Sequence, residues 1–207
     1  DQLINRPTEN LHTTLGWVMF PALARVQNDP TRLRNFFLKG YGLFLALVVP
    51  VTLACALFAE EIVHVLLGPQ WDAAIPIFRY LSPTVLAFAL INPMAHLMMA
   101  TGRATRSLLV ALLIAPVVIA GYVFGLSHGP AGIAIGFSAA MLLLVVPVVF
   151  WARYGTSITM ADLLRAALPP ISAALLGAAA AHAAGLVASG LGDLPRLVLL
   201  SAVLFGV

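Results

Sequence analysis

VMFPALARVQNDPTRLRNFF, residues Val18–Phe37, changes character in the middle. An apolar run ends at Phe20-Pro21, and the chain then turns basic and polar through Arg25, Asn28, Asp29, Pro30, Arg32 and Arg34. A long uncharged run opens near Gly40. The order is an apolar segment, a short basic hinge and a second apolar segment. That is how a chain looks when it leaves a membrane and enters it again.

Composition supports the same solvent. Of 207 residues, 61% are hydrophobic and only 9% are charged, where a water-soluble domain carries about 25% charged residues. Eleven Lys and Arg with eight acids cannot cover a water-facing surface of this size, and the mean hydropathy is +1.01. A helical crossing takes ~20 predominantly apolar residues. Runs of that kind occupy Gly40–Ala59, Ile75–Ala100, Leu108–Leu126, Ile133–Trp151 and Ala166–Ala188, and a further one starts at Leu197. The expected fold is an all-α polytopic bundle of seven helices, the first and last incomplete, forming an internal or C-terminal piece of a longer protein.

The connections assign the faces. Taken alternately, one set holds Arg25, Arg32, Arg34, Lys39, Arg103, Arg106, Arg153 and Arg165, while the other holds Glu60, Glu61, Asp72 and Asp193 with Arg196 as its single cation. Lys and Arg stay on the cytoplasmic side, so the connections near 25–39, 101–107 and 152–165 are cytoplasmic. Those near 60–74, 127–132 and 189–196 face outward. Trp71, Trp151 and Tyr154 fall near span ends, where aromatic belts sit.

Several function classes drop out. No phosphate-cradling glycine loop, HExxH pair, nucleophile elbow or Cys/His cluster is present in the sequence, and the short connections leave no room for an extramembrane catalytic domain. No catalytic residue, metal ligand or cofactor is expected. The basic residues are spread over three connections rather than one continuous face, which argues against a nucleic-acid partner. Cys55 lies inside an apolar run and reads as a packing thiol. Glu60-Glu61 point about 100° apart on a helix and read as a solvated helix end.

Polar groups at membrane depth are costly and are candidates for function by default. Asn5, Arg6, Glu9, Asn10 and His12 make the outer part of the first helix unusually polar, with Arg6 and Glu9 spaced to pair on one face. Cavity lining and internal pairing at the outward interface both fit this stretch. Arg79, one turn inside its run, fits substrate contact or snorkelling to the outer interface. Asn92 and His96 are four apart, hence on one face in mid-span, and fit either a binding role or an interhelical hydrogen bond. His182, in an Ala-rich run, reads as a packing or hydrogen-bonding residue. Prolines interrupt most spans, at Pro50, Pro76, Pro83, Pro93, Pro116, Pro147 and Pro169-Pro170, and broken helices serve binding sites in transporters. Gly132-x-x-x-Gly136, followed by Ala140, permits close helix packing.

Four blocks now carry a resemblance: VMFPALARVQNDPTRLRNFF, LLGPQWDAAIPIFRYLSP (66–83), NPMAHLMMATGRAT (92–105) and HGPAGIAIGF (128–137). In this order and spacing they resemble the C-terminal half of an oligosaccharide flippase of the polysaccharide-transport family, in the multidrug/oligosaccharidyl-lipid/polysaccharide exporter superfamily. On that family's fourteen-helix plan, 1–151 would be an incomplete transport lobe, helices eight to twelve, and 152–207 two additional C-terminal helices. The resemblance implies a two-lobe, alternating-access exporter of the bacterial inner membrane. Its substrate would be an undecaprenyl-diphosphate-linked oligosaccharide for lipopolysaccharide, capsule or exopolysaccharide synthesis.

Its partners would be membrane lipids, a first lobe absent from this sequence, and polysaccharide polymerase machinery. Pro7 and Asn92-Pro93 match the family pattern; His96 departs from it, and Arg6 and Glu9 lie outside any shared motif. The residues placed against substrate are Arg6, Glu9, Asn10, Arg79, Asn92 and His96. A membrane-embedded polymerase or glycosyltransferase, and a drug/cation antiporter of the same superfamily, stay open as alternatives.

Overall fold

The computed structural model describes Leu23, Arg25, Val26 and residues 28–187 and 193–206. Among these residues every regular element is a helix, and there is no strand. The helices are α1 (Pro30–Leu57), α2 (Ala59–Leu67), α3 (Ile75–Ala100), α4 (Ala104–Leu126), α5 (Gly129–Arg153), α6 (Met160–Val187) and α7 (Asp193–Gly206), with a 3-10 turn at Pro69–Ala74 between α2 and α3. The five long ones, α1 and α3 to α6, are long and apolar enough to cross a membrane. The expected all-α membrane bundle is what the chain forms.

The boundaries differ from the hydropathy runs because helix signals lie outside them. α1 starts at Pro30, ten residues before the uncharged run. Asp29 caps it, its Oδ1 accepting from the backbone N–H of Thr31 at 3.1 Å and Arg32 at 3.0 Å. Proline at the first helical position costs no hydrogen bond, since that N–H has no intrahelical acceptor. Arg32, Arg34 and Lys39 of the hinge are therefore helical.

On the outward side, 60–74 is not an open loop. Phe58 leaves helical geometry (φ −105°, ψ 29°) and α2 follows at once, closed by Gly68 at φ 92°, whose N–H reaches back to Val63 and His64 carbonyls. Only Glu60 is solvated as expected; Glu61 is buried. Asp72 pairs with His64 Nε2 at 2.8 Å and ties the 3-10 turn to α2.

Since these helices are apolar nearly all round, hydropathy does not select the inward face. Residue spacing does. In α1 the buried residues are Leu33, Phe37, Tyr41, Leu45, Val49 and Thr52, one stripe at steps of three and four. This stripe meets Ala87, Met94, Leu97 and Met98 of α3 and Leu163, Ala167 and Ala174 of α6 in one core. The principal packings make a row in the order α7, α6, α1, α3, α5, α4. Residues on both sides of 151/152 contribute to this core, because α6 packs along α1.

The α4–α5 contact is the tightest. Gly121 and Gly125 of α4 oppose Gly132 and Gly136 of α5, and a Cβ built on Gly121 would lie 2.5 Å from the Gly136 carbonyl oxygen and 2.9 Å from Ala140 Cβ. Backbone touches backbone here. The expected role of Gly132-x-x-x-Gly136 holds, and its partner is Gly121-x-x-x-Gly125.

Candidate functional site

Two polar regions stand out among the described residues: one face of α3 within the membrane, and the cytoplasmic end of the bundle. α3 is gripped on two sides. Its buried residues form two flanks at helical spacing, Ala89, Pro93, Leu97 and Ala100 on one and Thr84, Ala87, Ile91 and Met98 on the other, and its main neighbours are α1 and α5. Between them runs a third strip, Val85, Phe88, Asn92, His96 and Met99, at helical spacing. Val85, Phe88 and Met99 are exposed, and Asn92 and His96 are half-buried. Neither polar side chain forms a hydrogen bond among the described residues. The interhelical bond considered for His96 is therefore not made by them.

The prolines inside α3 lie close by. Pro93 follows Asn92 directly, and Pro83 stands ten residues earlier. A proline interior to a helix leaves the carbonyl four residues back without its donor. At Pro83 the carbonyl so left is that of Arg79, and beside it Ser138 Oγ of α5 donates to the Tyr80 carbonyl. Phe88 is also drawn into an aromatic run, with Phe137 of α5 at 6.5 Å and Tyr122 of α4 stacked on Phe137 at 5.2 Å.

Arg79 does not join this strip. Thirteen residues separate it from Asn92, ~20 Å along a helix and about 140° around its axis. It is exposed one turn inside α3, where its side chain is close to the outward boundary. Arg6, Glu9 and Asn10 lie outside the described residues. His182 is exposed on α6 rather than packed.

At the cytoplasmic end the structure brings the three basic connections together. Arg34 of α1 grips Asp162 of α6 with two bonds, Nε to Oδ2 at 2.9 Å and Nη2 to Oδ1 at 2.5 Å. Asp162 also closes a capping box: its carboxylate accepts from Thr159 N–H at 3.0 Å, and Thr159 Oγ1 accepts from Asp162 N–H at 3.2 Å. Ser157 Oγ donates to the Pro30 carbonyl at 2.9 Å. Arg103, just before α4, donates to the carbonyls of Tyr154, at 3.0 Å, and Gly155. Arg106 donates to the same Tyr154 carbonyl and lies 5.6 Å from the centroid of its ring.

The arrangement follows helix electrostatics. The acids Asp29 and Asp162 sit at the N-termini of α1 and α6, and the arginines turn to the C-terminal end of α5, each complementing a partial charge of the backbone. Sequence reading missed the role of Asp162. Its signal was present as Thr159-x-x-Asp162, a short-acid version of the capping-box pattern.

Comparison with known proteins agrees with the resemblance carried by the four blocks. A family model described as polysaccharide biosynthesis protein matches residues 1–76. The lipopolysaccharide biosynthesis protein WzxC of Escherichia coli K12 is 26% identical over 141 residues, 66% of this chain and 28% of that protein. The amylovoran biosynthesis protein AmsL of Erwinia amylovora is 31% identical over 103 residues, 50% of this chain and 26% of its own length. A membrane protein of the cps region of Klebsiella pneumoniae is 27% identical over 135 residues, 63% and 27% of the two chains. The chain thus spans about a quarter of the length of the curated relatives it matches. No solved structure matches it. It is a multi-pass protein of the bacterial inner membrane, similar to the Wzx-type membrane proteins of polysaccharide biosynthesis.

Proposed function

We propose that this chain is part of one lobe of an exporter that carries lipid-linked oligosaccharide units across the inner membrane by alternating access. The observation that carries the reading is the α3 strip. Two half-buried polar side chains, Asn92 and His96, stand in mid-span beside a proline, between the two buried flanks of α3. An unbonded amide and imidazole at that depth are costly against hydrocarbon. They are well placed against a polar cavity, which a second lobe outside this chain would complete. The cargo would be an undecaprenyl-diphosphate-linked oligosaccharide, whose polar head needs donors and acceptors along its route. Arg6 and Glu9 would add charge to the same cavity, and Asn10 an amide. Similarity to proteins named for lipopolysaccharide and amylovoran biosynthesis supports this class of cargo.

The test uses the full-length protein, in cells that depend on it for polymer export. Asn92→Leu and His96→Leu each should reduce export about tenfold while membrane levels stay normal, since both positions are off the packed core. Val85→Leu on the same strip is the control and should export normally. Normal export by the Asn92→Leu/His96→Leu double variant would remove the strip from the transport path.

A further inference from the structure

At the cytoplasmic end a cavity of about 320 Å³ lies between the three basic connections. That is the lower end of the range for small-ligand sites. Asn28 and Pro30 come from the hinge before α1, Thr101 and Arg103 from the α3–α4 connection, and Thr156 and Ser157 from the α5–α6 connection. No acidic residue is among its described lining residues.

The donor inventory decides what such a cavity holds. Arg103 spends two N–H groups on the Tyr154 and Gly155 carbonyls, and a guanidinium carries five. Three donors of a permanently charged group remain. Asn28 is exposed and adds an amide. The hydroxyls of Thr101, Thr156 and Ser157 already donate to carbonyls and offer no proton. The acids of this end are committed, Asp29 to the α1 cap and Arg32, Asp162 to Arg34 and the α6 cap. Cationic donors therefore go unanswered, with Arg106 adding positive charge nearby. Buried Leu33 also lines the space. The cavity lies where α1 begins and α3 ends, at the cytoplasmic end of these spans.

We propose that this cavity binds a phosphate-bearing anion through Arg103 and Asn28, tying the three connections to one ligand. The chemistry is shared by an anionic phospholipid headgroup and by soluble phosphate. It does not depend on the transport reading.

The experiment takes full-length protein in neutral detergent and measures bound lipid by native mass spectrometry. Phosphatidylglycerol and phosphatidylcholine are offered in equal amounts, and inorganic phosphate and glycerol 3-phosphate serve in parallel melting assays. Phosphatidylglycerol should be retained at least fivefold over phosphatidylcholine. Asn28→Asp, which leaves the Arg103 bonds in place, should lower that retention about tenfold without moving the lipid-free melting temperature. Arg103→Gln should abolish it, and Arg165→Gln, the same loss of charge on exposed α6, should leave it unchanged. If both soluble phosphates raise the melting temperature in an Asn28-dependent way without lipid selectivity, the anion is a soluble one and the site stands. Equal retention of the two lipids with no phosphate effect would overturn the proposal. So would loss of retention in Arg165→Gln equal to that in Asn28→Asp, which would mean diffuse surface charge.

Discussion

The α4–α5 seam and the cytoplasmic end join helices by opposite means. At the seam, Gly121 and Gly125 lie against Gly132 and Gly136 with no side chain between the backbones. At the cytoplasmic end nearly every tie runs through a side chain: Arg34 to Asp162, Arg103 and Arg106 to the carbonyls after α5, Ser157 to Pro30. The difference follows from the solvent. Lipid tails are as apolar as leucine, so helices gain little by burying alkyl groups against each other and associate through close packing instead. At the boundary with water, fixed charges and unsatisfied helix ends are available, and those do the joining.

The two regions should accordingly fail differently. The largest effect belongs to the seam, because a backbone contact has nothing that can swing aside. Gly136→Leu places a Cβ against the Gly121 carbonyl. It should destabilise the full-length protein by about 3 kcal/mol, the upper range for overpacking a filled site. The check is the monodisperse fraction after detergent extraction and its melting temperature. Wild-type melting would mean that α4 and α5 are further apart than described.

The cytoplasmic end should lose less from any one change. Arg34→Ala removes both bonds to Asp162, whose side chain is 7% exposed while that of Arg34 is 36% exposed. A fully buried pair broken from one side costs ~3–5 kcal/mol. Solvent access to the arginine and the surviving Thr159 bonds to Asp162 reduce this to about 1–2 kcal/mol. Asp162→Ala should cost about 1 kcal/mol more, since the α6 cap goes with it. Melting curves of both single variants and the double variant separate the two contributions. Equal losses for the two single variants would mean that the cap carries nothing.

That asymmetry also marks what the sequence could reveal. Long apolar runs report the spans because each must match the hydrocarbon thickness, and the seam was half legible because glycines four apart have one common use in a membrane. The starts of α1 and α6 were less legible. Asp29 and Thr159 are short polar residues in polar connections, so hydropathy assigns them to connections while backbone capping assigns them to helices. The α3 strip was visible as a four-residue spacing, but its place between two packed flanks depends on which neighbours α3 acquires. Arg79 and Asn92 belong to one run of sequence, yet about 20 Å of helix rise separates them. The pairing of Arg34 with Asp162 spans 128 positions, and no local pattern encodes it.

The smallest effect joins the two regimes, because it is a polar bond inside the membrane. Pro83 has no N–H for the Arg79 carbonyl, and the adjacent Tyr80 carbonyl accepts from Ser138 Oγ of α5. One could expect such a bond to be worth a great deal in hydrocarbon. Measured interhelical bonds average only ~0.6 kcal/mol, because the separated helices find other partners. Ser138→Ala should therefore lower stability by about that amount. The Ser138→Ala cost should shrink further in a Pro83→Ala background, where residue 83 regains its N–H and the Arg79 carbonyl its helical donor. Melting curves of the four proteins in this cycle give the coupling directly. A Ser138→Ala cost above about 1.5 kcal/mol, undiminished without the proline, would mean that Ser138 acts through α3–α5 packing rather than by covering the broken helix.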